Sequence, residues 1–240
     1  EEAYQAIVET YASVQAAAGL QHVAFIPISA LLGDNVVDPS PHMPWYAGPT
    51  LLRHLETLEV ARPETDRDFR FPVQTVIRPH SDDYHDYRGY AGRVAGGVFK
   101  KGDEVMLLPS GFTTKIKSIN TFEGELEEAH PPMSVTICVE DDLDLSRGDM
   151  IVRPNNSPNV EQTVDLMICW FNEKPLRLNG KYTLMHTNNE VRCIVKEVRY
   201  KMDVNTLKRD LDFEQIEMND IARVQLRTTK TLFFDSYSRN

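Results

Sequence analysis

Cysteine is scarce in this chain, with three in 240 residues: Cys138, Cys169 and Cys193. Each sits singly inside an apolar run and none forms a C-x-x-C pair. That excludes a disulfide framework and predicts buried, reduced thiols in a cytoplasmic protein. Long hydrophobic runs are missing too. No stretch approaches the roughly 18–20 apolar residues that span a bilayer, and the first residues carry no signal-peptide pattern, so no membrane partner is expected. Positive charge is in deficit, 26 Lys and Arg against 36 Asp and Glu, for a formal net charge of −10. A general nucleic-acid binder needs a cationic face to neutralise phosphates, so that class is excluded. The G-x-S-x-G nucleophile elbow is absent, as are internal repeats and low-complexity tracts.

What is present is ordinary for a globular protein: 41% hydrophobic and 26% charged residues, enough for two small domains with real cores. Acid residues crowd "EGELEEAH" (123–130) and "VEDDLDL" (139–145). These read as solvated faces or as a docking surface for a basic partner.

Along the chain the texture changes once, sharply. Residues 1–18 place Tyr4, Ile7, Val8, Tyr11, Val14 and Ala18 at three-to-four spacing, which predicts a helix. The apolar run Val23 to Ile28 predicts a buried strand. "GPTLLRHLETLEV" (48–60) predicts a second helix, with Pro49 at its first position and Leu51, Leu52, Leu55 and Leu58 as its stripe. This is part of an α/β layer, and its strand requires parallel neighbours. After the polar linker 61–68, "FRFPVQTVIR" puts Phe69, Phe71, Val73 and Ile77 on alternate positions. Short strands with turn signals then follow one another to the end, with "NNSPN" (155–159) as a second boundary. No crossover helix intervenes. The expected fold is therefore mainly β: residues 1–60 from an α/β domain, then two antiparallel β-barrels at 69–155 and 160–240.

The loop after the first predicted strand reads Ser29-Ala30-Leu31, and such a strand-to-loop edge is where nucleotide-binding α/β domains place main-chain N–H donors. A donor aimed at the base favours guanine, whose O6 accepts, over adenine, whose amino group would clash. S-A-L, a linker and two barrels together resemble the translation-factor class of GTPases. "ISALLGDNVV", "MPWYAGPTLLRHLETLEV", "YRGYAGRVAGGVFKKGDEVMLLPSG" and "ARVQLRTTKTLFFDSYSRN" resemble, more narrowly, the GTPase (large) subunits of bacterial sulfate adenylyltransferase. In that family Ser29 and Ala30 would line the guanine and Leu31 would help fix the loop, and Trp45-Tyr46 and Gly48-Pro49 would mark the entry to the last helix of the GTPase domain. The resemblance implies a GTP-binding regulatory subunit that uses GTP and Mg2+. It would couple GTP hydrolysis to formation of adenylyl sulfate and pyrophosphate from ATP and sulfate, beside a small catalytic subunit. An elongation-factor-like GTPase and a non-enzymatic two-barrel binding module remain as alternative readings.

The family's phosphate loop, D-x-x-G turn and N-K-x-D motif would all precede S-A-L and do not occur here. Asp86-Tyr87-Arg88-Gly89 spells D-x-x-G but follows S-A-L, inside the first barrel, and is not expected to meet phosphate. The resemblance thus implies a piece of a longer protein, with an incomplete third domain. This chain alone is expected to hold no catalytic residue, no metal and no bound GTP, and to have no GTPase activity. Two amphipathic helices without their sheet would expose an apolar patch and favour self-association, and the third domain would show an open edge at Ile221–Thr228. The densest histidine cluster, His80, Asp82, Asp83, His85 and Asp86, reads as a solvated loop. Arg147-Gly148-Asp149 reads as a tight turn, and Trp170-Phe171 as core filling.

Overall fold

The computed structural model describes residues 1–20, 22–58, 67–79 and 87–237. The chain divides into two compact units, Glu1–Ala61 and Arg62–Asn240. The cluster at 80–86, most of the linker at 61–66 and the end of the second predicted helix at 59–60 lie outside the described residues.

In the first unit, helix α1 (Glu2–Ala18) stops at Gly19, whose φ of 64° lets its N–H turn back to the Ala16 carbonyl while Leu20 N–H reaches that of Gln15. Its stripe divides. Tyr4 donates to the Phe25 carbonyl at 3.0 Å and packs on Trp45, and Tyr11 meets Phe25 edge-on. Ile7, by contrast, is 63% exposed. Val23–Ile28 is not a strand. No parallel neighbour exists among the described residues, so the extended run is held by aromatic contacts and side-chain hydrogen bonds instead of a ladder. Helix α2 (Leu51–Thr57) is shorter than expected because Thr50, not Pro49, sets its start: Thr50 Oγ1 accepts from Arg53 N–H at 3.3 Å. Pro49 therefore precedes the cap. The carbonyls of Asn35 and Val36 take the first two helical N–H groups, of Leu51 and Leu52, each at 2.9 Å.

The second unit begins with nine strands: β1 (Phe71–Ile77), β2 (Gly89–Arg93), β3 (Phe99–Lys100), β4 (Glu104–Leu108), β5 (Phe112–Thr121), β6 (Gly124–Leu126), β7 (Glu128–Ala129), β8 (Ser134–Val139) and β9 (Met150–Val152). The main sheet runs β4-β9-β1-β2-β8-β5-β6, and β4 also pairs with β5, closing the ring. Phe71, Val73, Tyr90, Phe99 and Ile137 fill it. The expected alternation fails at Ile77, which is exposed. A bulge between Val73 and Thr75 shifts the phase by one, so that Val76 takes the inward position. Gly92 allows the close β1–β2 approach, since a Cβ there would sit 2.4 Å from the Pro72 carbonyl oxygen.

The remaining strands are β10 (Asn159–Cys169), β11 (Lys181–His186), β12 (Asn189–Met202), β13 (Arg209–Asp210) and β14 (Ile221–Phe234). They form an antiparallel sheet in the order β10-β14-β12-β11, with β13 on β12. The edge expected at Ile221–Thr228 is not an edge: β14 is central and pairs on both sides. Among the described residues β10, β11 and the short β13 are the open strands of this sheet. The Leu176↔Ile216 bridge brings two further buried side chains onto the core of Val164, Val195 and Val224. Trp170 packs against Tyr182, but Phe171 points outward, 74% exposed. Cys138 and Cys193 are buried and Cys169 is exposed, because the alternation that turns Ile168 inward turns its neighbour out. Gly148, at φ 94°, turns Arg147-Gly148-Asp149 tightly, with Asp149 N–H on the Ser146 carbonyl.

Candidate functional site

Two constructions of polar groups stand apart from the apolar cores. The first is the loop that begins at Ser29. Ser29 N–H donates to the Asp34 carbonyl at 3.1 Å, the Ser29 carbonyl accepts from Gly33 N–H at 2.8 Å, and Ser29 Oγ accepts from Leu32 N–H at 3.3 Å. One residue thus ties the loop at three points. Ala30 and Leu31 lie between these ties, exposed, and among the described residues their N–H groups have no acceptor. Leu31 is 94% exposed, so it fixes nothing by packing. Of the three residues singled out from sequence, Ser29 is the anchor and Ala30 and Leu31 hold the unused donors.

The anchor is itself supported from below. Asp34, Asn35 and Ser40 are buried. Asn35, in the left-handed region at φ 53°, donates from Nδ2 to the Pro27 carbonyl at 2.9 Å and accepts Ser40 N–H on Oδ1 at 2.8 Å. Ser40 Oγ donates to Asp34 Oδ1 at 2.7 Å, and His42 Nδ1 lies 3.0 Å from the same oxygen. The Ser40 hydrogen bond, and then His42, hold the Asp34 carboxyl below the usual carboxylate range. In the sequence, Asp34 and Asn35 appear only as part of the stretch "ISALLGDNVV". The serine and histidine six and eight residues beyond Asp34 were the missed signal.

The second construction joins the two large sheets of the second unit. Arg70, buried beside β1, makes a bidentate pair with Asp235 just past β14: Nε to Oδ2 and Nη2 to Oδ1, both at 2.7 Å. Its Nη1 also donates to the carbonyls of Phe69 and Asn156, and Asn156 Nδ2 reaches Asp68 at 2.6 Å. Beside it Phe233 packs on Leu108, Met150 and Val152. The hairpin between β11 and β12 adds Asn188 on the Pro72 carbonyl and Asn189 on the Gly148 carbonyl. Asp235 belongs to the "LFFD" stretch already singled out, whereas the role of Arg70 carried no local mark.

Among the described residues no group of three or more His, Cys, Asp or Glu converges as a metal site. At one end of the first barrel a cavity of about 580 Å³ is lined by Arg78, Arg88, Tyr87 and Cys138 among others. Its arginines are answered by Asp142 and Asp144 at 2.6 and 2.8 Å. Burial and a hydrogen bond with Cys138 push the Tyr87 phenol up to about 12.

Residues 163–240 match a family model described as the GTP-eEF1A C-terminal domain-like family. In fold the chain is similar to Sup35 complexed with GDP (TM-score 0.63, 20% identity, 99% of this chain and 59% of that one). It is also similar to translation elongation factor SelB from Methanococcus maripaludis (TM-score 0.57, 17% identity, 77% of this chain and 39% of that one). In sequence it is 45% identical over its whole length to sulfate adenylyltransferase subunit 1 of Bacteroides fragilis, of which it spans 49%. It is equally 45% identical to the bifunctional enzyme CysN/CysC of Mycobacterium tuberculosis, of which it spans 39%. The chain therefore spans half or less of the length of these relatives. The fold shared with Sup35 and SelB and the 45% identity over the whole chain agree, and the chain is similar throughout to one part of the sulfate adenylyltransferase subunit 1 proteins.

Proposed function

We propose that this chain is the part of a GTP-binding regulatory subunit of sulfate adenylyltransferase that carries the guanine-side loop and the two β-domains. The observation behind this reading is the 45% identity to proteins named sulfate adenylyltransferase subunit 1, extending over all 240 residues. Residues 1–60 belong to the GTPase domain, 69–155 to the second domain and 160–240 to the third. Ala30 and Leu31 N–H groups face the guanine O6, and Ser29 holds them there. The described residues fit the base of GTP but offer nothing for its phosphates or for Mg2+, which fall to the rest of the protein. In the whole enzyme, GTP hydrolysis drives the uphill joining of ATP and sulfate on a small catalytic subunit, in the cytoplasm. The clamp of Arg70 and Asp235 supports transmission, since two β-domains locked together can shift as one body between nucleotide states. Nucleic acid and membrane are not partners, and the exposed apolar face of residues 1–60 favours self-association when this chain stands alone.

Purified full-length protein, mixed with the small subunit, GTP, ATP and sulfate, is expected to release GDP and phosphate in proportion to adenylyl sulfate formed. The 240-residue chain alone is expected to show no GTP turnover. Adenylyl sulfate formation that ignores GTP overturns the coupling. Turnover by the chain alone overturns the assignment of its residues.

A second reading is favoured by one observation, the fold shared with Sup35 and SelB: an elongation-factor-like GTPase. Co-purification with ribosomal RNA or aminoacyl-tRNA, and not with the small subunit, would decide for it. A plain two-barrel binding module predicts that removal of residues 1–60 leaves partner capture unchanged.

A further inference from the structure

The β5–β6 hairpin carries a side chain that folding does not use. Its two-residue turn is Phe122-Glu123, closed by the Thr121↔Gly124 pair and by Thr121 Oγ1 donating to the Gly124 carbonyl at 3.1 Å. The positive φ that the tip requires, 135°, is carried by Gly124, so the turn asks nothing of position 122. Yet Phe122 is 106% exposed, the highest value among the large apolar side chains described. Both neighbouring strands end beneath it and none of the three apolar clusters includes it.

The surroundings of this ring are acidic. Glu125 is answered by Lys101 at 2.6 Å and Glu128 by Lys100 at 3.3 Å. Glu123 and Glu127 have no ion pair among the described residues. The tip is thus an apolar knob with an acidic collar. Phosphate-rich surfaces are repelled by such a collar, and so is a second copy of a chain whose net charge is −10. What fits is a protein socket that is apolar at its floor and rimmed by lysine or arginine.

We propose that Phe122 is a docking anchor for the small catalytic subunit, whose surface offers that socket, with Glu123 and Glu127 facing its basic rim. The inference rests on the two-subunit reading above. A single buried aromatic at the centre of an interface commonly dominates its affinity, while rim charges act mainly on the association rate.

The test uses the full-length GTPase subunit and the purified small subunit, with affinity and rates measured by surface plasmon resonance. Phe122→Ala is expected to weaken binding by about 30-fold, and Phe122→Leu by no more than about threefold. Glu123→Lys with Glu127→Lys is expected to slow association about tenfold at low salt and to flatten its salt dependence. Thermal melts of the 240-residue chain should not change, because Phe122 is fully exposed among its described residues. If the wild type binds and Phe122→Ala stays within twofold of it, the anchor is overturned and the two-subunit reading stands. If the wild type does not bind, the two-subunit reading fails and takes the anchor with it. Loss of self-association in Phe122→Ala without loss of subunit binding also overturns the proposal, in favour of a homotypic contact.

Discussion

The four buried side chains among the described residues of Glu1–Ala61 that carry polar groups, Asp34, Asn35, Ser40 and Thr50, have no buried apolar side chain beside them. In Arg62–Asn240 the proportions reverse: three apolar clusters, with Arg70, Thr114 and Thr228 as the buried polar exceptions. The first unit is organised by directed hydrogen bonds around a loop, the second by non-directional burial around two cores. Hydrogen bonds fix geometry but contribute little net stability each, whereas burial contributes most of the stability and specifies positions less sharply. The first unit is therefore suited to presenting N–H groups at fixed points. The second is suited to moving as a solid piece.

The largest expected effect breaks the bidentate ion pair of Arg70 and Asp235 in the second unit. Arg70→Met leaves the Asp235 carboxylate buried without its partner and is expected to destabilise the unit by about 3–5 kcal/mol in urea unfolding. Arg70→Met with Asp235→Leu should recover part of that loss, giving a coupling of about 1–3 kcal/mol in the double-mutant cycle. Simple additivity would mean the clamp is not a unit. Next comes Asn35→Ala, which removes two buried hydrogen bonds and strains a left-handed backbone. It is expected to cost about 1–3 kcal/mol, read as faster amide exchange at Ser40 and Leu51 with no change in the second unit. Asn35→Gly keeps the backbone and should cost less, and an equal loss in both would show that strain plays no part.

Acid separates the two units by a different route. Burial lowers the His186 pKa from its ordinary 6.5, so the unfolded chain takes up the proton first. Stability of the second unit is thus full above about 6.5 and declines as pH falls through the depressed value. Asp34 also titrates below its ordinary 3.8, so its contribution to the first unit is present above that value and lost only in stronger acid. NMR titration with amide exchange should show the second unit loosening at the higher pH. His186→Phe should remove that step, and a first-unit transition at the higher pH would reverse the comparison.

How much of this was legible in the sequence follows from the same contrast. Burial leaves a periodic trace, so the strand-rich second half could be read from alternation, and α1 from its three-to-four spacing. One bulge residue was enough to exchange Val76 for Ile77, because period-two patterns have no memory of phase across an insertion. Directed contacts leave weaker traces. Ser29, Ala30 and Leu31 were visible only as a motif, and the residues that position them, Asn35 and Ser40, are common turn formers in any loop. The Arg70–Asp235 pair spans 165 residues. Neither residue type at either place distinguishes a buried clamp from a surface charge. Likewise nothing local told that β14, rather than β10 or β11, would lie inside its sheet.

The smallest expected effect tests what the first unit lacks. Ile7 on α1 and Leu55 on α2 are 63% and 58% exposed, so neither contributes a core contact that a polar residue would forfeit. Ile7→Ser and Leu55→Ser should each change stability by no more than about 0.5 kcal/mol, the usual range for surface positions. Their effect should instead fall on association. If the apolar face of residues 1–60 draws copies of this chain together, both substitutions lower light scattering and dye binding at fixed concentration while leaving the melting transition in place. A loss of stability comparable to that of Asn35→Ala would mean that α1 and α2 are held by burial after all. The division between a hydrogen-bonded unit and a packed one would then no longer describe this molecule.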